Sequence, residues 1–362
     1  MRTRTTSFSL LVAALVAVAC SAPASAPAPA PTAKPAAPQA SAAGPTAAAA
    51  PAPAAPTARE PLHLGYLPII PTGPLFIAQE RGYFDEQGFD TEWTQFDSGA
   101  LMVSSVAAGQ LDVIPGVPGP GLFNALAREV TMQGVAALGY SGTWLMLRKE
   151  LADSGEIKTL QDLKGRRVSF NVEGSPVDYT LRNAFLKAGL TLDDVQAERV
   201  DNTDLATALA NGAVDAGVVP EPVPVLIESR GIGVRFDVQR AVGRQLAAFM
   251  VVGPSMLSRG DASTTRFLIA YVRGLREFVG GIRDARLADP QVLEIMSKWT
   301  RLPAETLAQA VTEPPSTDAR IDVQDMSNQQ EFWVREGLVP QRADLSKFVV
   351  SRYLDAALAQ LR

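Results

Sequence analysis

One seven-residue pattern occurs twice in this chain, about a hundred residues apart, and it constrains the fold more than any other feature. Residues 107–113 read A-A-G-Q-L-D-V, and residues 210–216 read A-N-G-A-V-D-A. In each copy an amphipathic run leads to a glycine (Gly109, Gly212), and an aspartate (Asp112, Asp215) then opens an apolar run. Glycine takes the left-handed conformation at a helix end more readily than any other residue, so each copy predicts helix, stop, strand. A Gly/Pro-rich turn follows each strand: Pro115 to Pro120 in the first copy, Pro220-Glu221-Pro222 in the second. Upstream, a helix ending at Gly88 or Gly189 precedes a short strand, Phe89–Phe96 or Gln196–Val200. Two such α/β units predict two lobes. Ligands of open α/β sheets lie beyond the carboxyl ends of the strands, so the two turns should face one cleft. Asp112 and Asp215 are expected to hold the strand starts rather than to touch a solute.

The N-terminus predicts where those lobes work. Arg2 and Arg4 precede an apolar stretch, Phe8 to Ala19, that ends at Cys20, the only cysteine. A basic start, a short apolar core and small residues before a cut describe an export signal. About a dozen apolar residues are too few to span a bilayer as a helix. With the cut before the sole cysteine, residues 1–19 read as a lipoprotein signal and Cys20 as the lipidated mature end. Ala17 departs from the Leu usual at that place in such signals. Several acyl chains on one residue anchor stably where a single chain is marginal. Residues 20–58 are nearly all Ala and Pro, a composition that buries nothing and stays extended, and are expected to form a tether.

About 300 residues remain from Arg59 onward, enough for two domains with real cores. A net charge of −5, a pI near 5.2 and the absence of a Lys/Arg run argue against nucleic acid as a partner. The body has no thiol, and its one histidine, His63, falls in the predicted strand Leu62–Leu67. Disulfides, cysteine metal sites, His-rich metal sites and triads built on a separate histidine base are therefore not expected. No phosphate-cradling or dinucleotide glycine motif follows a strand, and the prolines of the Gly116–Gly121 run remove amides that a phosphate loop needs. Paired carboxylates leave acid–base catalysis formally open. The expectation is binding without catalysis, cofactor or metal. Further strands are expected over Thr131–Leu138, Thr143–Leu147, Ala216–Val219 and residues 247–252, with helices over Pro74–Arg81, Ser98–Ala108, Gly119–Ala127 and Pro176–Ala188. From Ser255 the pattern is mostly helical, with Trp299, Trp333 and Phe348 on apolar faces. Crossings near 148 and 250 divide the body into lobe 1 (59–148 and 250–362) and lobe 2 (149–249).

Several segments, taken in order, resemble one family. They are Gly65-Tyr66-Leu67-Pro68, the run from Pro74 to Phe84, Ala108-Gly109-Gln110-Leu111-Asp112, Leu163 to Val168, Leu209 to Ala216, Glu221-Pro222, and Phe332-Trp333 with Gly337-Leu338-Val339 and Leu345 to Val349. The chain resembles solute-binding proteins of ABC importers, in the class that handles nitrate, sulfonates, taurine and thiamine-pyrimidine precursors. The resemblance implies an α/β, two-lobe periplasmic-binding-protein fold of the type II kind, with two hinge crossovers and a cleft between the lobes. It implies a monomer that captures a small-molecule solute and delivers it to a cognate ABC permease. With the signal, it implies an exported protein, lipid-anchored in the periplasm or on the outer face of the cell membrane. It does not imply which solute.

Candidate ligand contacts come from the predicted cleft loops. Gly174 and Ser175 precede a helix, with Ser175 as N-cap and Pro176 as first helical residue. Free amides and the positive dipole end there suit an anion, and the family resemblance implies ligand contact at this segment. Glu221 is placed to receive an amine or a ring N–H. Ser98, Gly116 and Val117 offer hydroxyl and backbone groups. Tyr66 with the adjoining Pro68, Tyr140 and Tyr179, beside Phe76 and Trp144, are candidates for stacking on a planar ligand. The solute expected is a small organic anion, a zwitterion such as an aminosulfonate, or an N-heterocycle. Two alternatives stand beside this one: a same-fold biosynthetic enzyme of the pyrimidine-precursor type, and a ligand-sensing module for a membrane receptor. Pyrimidine synthases of this resemblance rely on a reactant histidine and on cysteines that the body lacks.

Overall fold

Short apolar runs alternating with amphipathic helices build two mixed five-stranded sheets. The computed structural model describes residues 59–96, 99–140, 142–236 and 242–362. The export signal, Cys20, the tether and Ser98 lie outside the described residues. Among the described residues, no helix is long and apolar enough to cross a membrane.

The first sheet has the order β2-β1-β3-β10-β4, built from β1 (Glu60–Tyr66), β2 (Phe89–Gln95), β3 (Val113–Gly116), β4 (Gln133–Tyr140) and β10 (Leu246–Val252). The second has the order β7-β6-β8-β5-β9, built from β5 (Thr143–Arg148), β6 (Arg167–Phe170), β7 (Gln196–Arg199), β8 (Ala216–Pro220) and β9 (Gly233–Phe236). The two sheets repeat one scheme. In each, a first strand pairs in parallel with both neighbours (β1 with β2 and β3; β6 with β7 and β8). One antiparallel strand then inserts beside the third, β10 in one sheet and β5 in the other.

The duplicated sequence pattern sits at the same place in both sheets. Gly109 and Gly212 end their helices with φ of 73° and 71°. Asp112 donates its N–H to the carbonyl of His63 on β1, and its carboxylate accepts the His63 N–H at 2.8 Å. Asp215 makes the same exchange with Arg167 on β6, its carboxylate accepting at 3.0 Å. Burial opposes ionisation of both carboxyls. Hydrogen bonds from His63, Ser255 and Arg259 at Asp112, and from Arg167 at Asp215, outweigh it and hold both below the ordinary range. Each aspartate therefore pins a parallel strand pair at its start.

The changes of sheet fall between Tyr140 and Thr143 and between Phe236 and Leu246. All of β5 thus belongs with the second sheet and residues 246–249 with the first, earlier in both cases than the boundaries near 148 and 250 expected from sequence. β4 and β5 form a nearly unbroken apolar run, and nothing in their side chains marks which sheet each joins. The predicted elements otherwise recur within a few residues; β9, the helix Val223–Ser229 and the short strand pair Ile282–Arg283 and Arg286–Leu287 were not anticipated.

Helices cover the outer faces. Helix α1 (Gly73–Glu80) lies against the long helix α2 (Asp261–Gly280), and Gly274 is the point of closest approach. A β-carbon at Gly274 would lie 2.2 Å from the Pro74 carbonyl oxygen. Gly274→Ala should therefore destabilise the protein by about 2 kcal/mol through overpacking, measured as a lower urea midpoint. Trp333 and Phe348 are buried in the first lobe, as their apolar spacing predicts.

Candidate functional site

The turns that follow β3 and β6 meet across the lobe junction. Gly119 caps helix α3 (Pro120–Ala127) in extended backbone, with φ −137°. A β-carbon there would lie 2.5 Å from the carbonyl oxygen of Gly174, on the turn after β6. Gly174 has φ 78°, and a β-carbon on it would meet Pro120 at 2.9 Å. A strand-end turn of each sheet is thus in contact with the other, backbone to backbone, but this contact is made by the turn after β6 and not by the Pro220-Glu221-Pro222 turn that the duplicated pattern pairs with Pro115 to Pro120. Val117 packs on Gly99, while Gly116 is enclosed by Val251 and Phe249 of β10 and serves packing within its own sheet.

Behind Gly174 begins helix α4 (Pro176–Lys187), with Ser175 as N-cap. The Ser175 hydroxyl accepts the Asp178 N–H at 3.1 Å and donates to Asn171 at 2.9 Å. The Gly174 N–H donates to the Asp178 carboxylate at 2.8 Å. Asp178 is fully buried and paired with Arg182 at 2.8 Å. Burial pushes its carboxyl above the ordinary range, against the Gly174 N–H and the Arg182 guanidinium. The helix start expected to await an anion already carries one, so any solute shares these donors with Asp178. The signal was present in sequence: Ser175 and Asp178 have the spacing of a capping box.

Glu221 is only 6% exposed, and one of its oxygens lies 2.5 Å from Arg235 on β9. Its other oxygen makes no hydrogen bond of good geometry among the described residues, although the backbone N–H of Val311 acts on the carboxyl. Arg235 also bonds Glu228 at 3.0 Å and lies over the Trp144 ring, 4.9 Å from its centroid. Burial pushes the Glu221 carboxyl up to about 7, although Arg235 and the Val311 backbone N–H oppose the shift. The cation expected from a ligand is thus supplied in part by the chain itself. Arg235 escaped the sequence reading because β9 did; the alternation of Val234, Arg235 and Phe236 was the available signal.

The aromatic candidates separate. Tyr66 is half-buried in a ring cluster with Phe76, Trp93 and Trp299 at centroid distances of 5.4 to 5.9 Å, and its hydroxyl bonds Gln95. Packing, not a free face, occupies it. Tyr179 is 5% exposed and packs edge-on against Phe332 of the first lobe at 4.9 Å, and burial pushes its hydroxyl up. Tyr140 ends β4 at the crossing, with the guanidinium of Arg244 3.5 Å above its ring. Arg244 is exposed, bonds the Pro314 carbonyl at 2.7 Å, and has no carboxylate partner among the described ion pairs. A guanidinium held on an aromatic face keeps donors that could receive an anion, and Arg244 was not singled out from sequence. Pro68 is half-buried beyond the end of β1. Among the described residues, no group of three or more His, Cys, Asp or Glu side chains is arranged to hold a metal.

Residues 71–280, across both sheets and the two facing turns, match the family model described as NMT1/THI5 like. The chain belongs to the NMT1/THI5-like family. A relative of this NMT1/THI5-like chain, from Brucella abortus (strain 2308), provisionally named a binding protein, is 31% identical over 178 residues, 46% of this chain and 53% of the relative. The chain therefore spans about half the length of the curated relatives it matches first. The crystal structure of the periplasmic aliphatic sulphonate binding protein SsuA from Escherichia coli superposes with a TM-score of 0.64 at 19% identity, covering 81% of this chain and 92% of SsuA. The same two-lobe fold also carries an enzyme: the desulfurization enzyme DszB superposes with a TM-score of 0.61 at 15% identity, covering 84% of this chain and all of DszB.

Proposed function

We propose that this chain is the lipid-anchored, solute-binding component of an ABC importer, exported to the periplasm or outer membrane face. It captures a small organic anion or zwitterion of the sulfonate class, or an N-heterocycle, by closing its lobes and passes it to a cognate permease. The observation that carries this reading is the backbone contact between Gly119 and Gly174. It joins the strand-end turns of two lobes around one junction, in a family whose relatives are named for binding. We assign the anionic end of the solute to Ser175 and Arg244, and its N–H-bearing end to the oxygen of Glu221 that Arg235 does not hold.

An enzymatic role has little to work with here. The only cysteine precedes the tether, and His63 is fixed on β1 between Asp112 at 3.2 Å and Glu92 at 3.6 Å. The test of the main reading is a thermal-shift panel of taurine, ethanesulfonate, nitrate and an aminomethylpyrimidine, with neutral sugars as controls. A member of the first set should stabilise the protein by ~2.7 kcal/mol at a hundredfold excess over Kd. Stabilisation by sugars alone would overturn the proposed ligand class. For the anchor, Cys20→Ala expressed in a bacterial host should move the protein from the membrane to the soluble fraction. An unchanged membrane fraction counts against lipidation.

A further inference from the structure

Away from the cleft, a groove of about 550 Å³ lies between α4 of the second lobe and helix α5 (Val323–Arg335) of the first. Residues of the second crossing and Arg342, paired with Glu331 of α5 at 3.2 Å, complete its lining. Its volume is in the range of small-molecule sites. The lining is unusual in how its polar groups are left.

Gln245 is 4% exposed, and its side-chain amide is 2.9 Å from the hydroxyl of Thr180. That same hydroxyl is 2.9 Å from the Pro176 carbonyl, one helical turn back. A hydroxyl has one proton, and here the helical carbonyl can only accept. As placed, the Gln245 amide turns its oxygen to Thr180 and its nitrogen has no partner among the described residues; with the Thr180 proton on Pro176 the amide turns over and presents its oxygen on that side instead. Asp325 lines the same groove. Its carboxylate accepts the Leu246 N–H at 2.7 Å and the Gln329 amide at 2.8 Å, but no Lys or Arg pairs with it among the described ion pairs. Burial pushes its carboxyl upward, as it must where charge lacks a counter-ion. The lining thus offers acceptors in want of a cation. Around them stand Lys187 and Arg335, both exposed, with Arg335 over the Phe332 ring.

We infer that this groove is a second binding site, for a small zwitterion whose ammonium rests on Asp325 and Gln245 and whose acid end meets Lys187 and Arg335. Its walls come from different lobes, joined by the Tyr179–Phe332 contact at 4.9 Å, so an occupant ties the lobes together from outside the cleft.

Calorimetry with β-alanine and γ-aminobutyrate as probes tests this, with propionate and propylamine as controls that each lack one end. The zwitterions should bind and the controls should not. Asp325→Asn keeps the acceptor for Leu246 but removes the charge, and should weaken binding about tenfold or more. The exposed pair Lys187→Ala and Arg335→Ala should weaken it severalfold and guards against misfolding of the buried variant. The inference is overturned if neither zwitterion binds, if a control binds equally well, or if both sets of groove variants bind as the parent does.

Discussion

Between pH 4.5 and 7 the parent protein should lose ~3 kcal/mol of stability at a single carboxyl, and Glu221→Gln should remove that part of the slope. Glu221 lies at the lobe junction, its N–H bonded to the Gly142 carbonyl at 3.0 Å and its side chain almost wholly out of water. Burial disfavours the charged form more than Arg235 favours it, partly because Arg235 is shared with Glu228. The carboxyl therefore titrates near 7 when folded and at its ordinary 4.5 when unfolded. Between those values the folded chain holds a proton that the unfolded chain has released. Stability falls as pH rises through the window, and the contribution is complete below 4.5 and absent above 7. Asp178 and Asp325 are also raised by burial and slope the same way, so the useful quantity is the difference between parent and variant. Urea unfolding at pH 5 and pH 8 measures it. The variant should gain on the parent by about that amount between the two pH values. A constant difference would mean that Glu221 is ionised throughout and better satisfied than its surroundings indicate.

Much of this arrangement was legible in sequence because it rests on local chemistry repeated twice. A glycine at a helix end and an aspartate at a strand start have the same consequence wherever they occur. Gly109 with Asp112 and Gly212 with Asp215 therefore disclosed two equivalent sheets. Ser175 disclosed a helix start for the same reason. What sequence did not disclose depends on distance in space. Nothing near Glu221 in the chain points to Arg235, which reaches it from β9, on the far side of β5. Nothing near Tyr66 announces Trp299, whose ring is brought in by a helix more than two hundred residues on. Asp178 is a different case. It was visible as a capping carboxylate, yet its burial on the donors of Gly174 depends on how α4 seats against the rest of its lobe. Which sheet β5 joins was not legible because one apolar strand reads like another until its partners are known.

Gly119→Ala should weaken solute binding about tenfold or more while leaving the folded lobes intact. The φ of Gly119 is −137°, which alanine adopts freely, so the substitution adds no backbone strain. The conflict is with the opposite lobe. A β-carbon 2.5 Å from the Gly174 carbonyl is closer than any real contact, and both sides are backbone, so neither can turn away. The turns must part by several tenths of an ångström, and the closed arrangement loses free energy relative to the open one. A displacement of ~1.4 kcal/mol in that equilibrium is a factor of ten in apparent Kd, because a solute held by both lobes binds only to the closed form. Gly121, two residues on, is the control. A β-carbon there meets nothing within 4 Å, and alanine is the better helix former, so Gly121→Ala should bind as the parent does. Calorimetry with the solute found by the thermal-shift panel gives the affinities. Small-angle scattering at saturating solute should show the parent and Gly121→Ala compacting while Gly119→Ala stays more extended at matched concentration. Should Gly119→Ala bind and compact like the parent, the contact between the two turns is not part of closure.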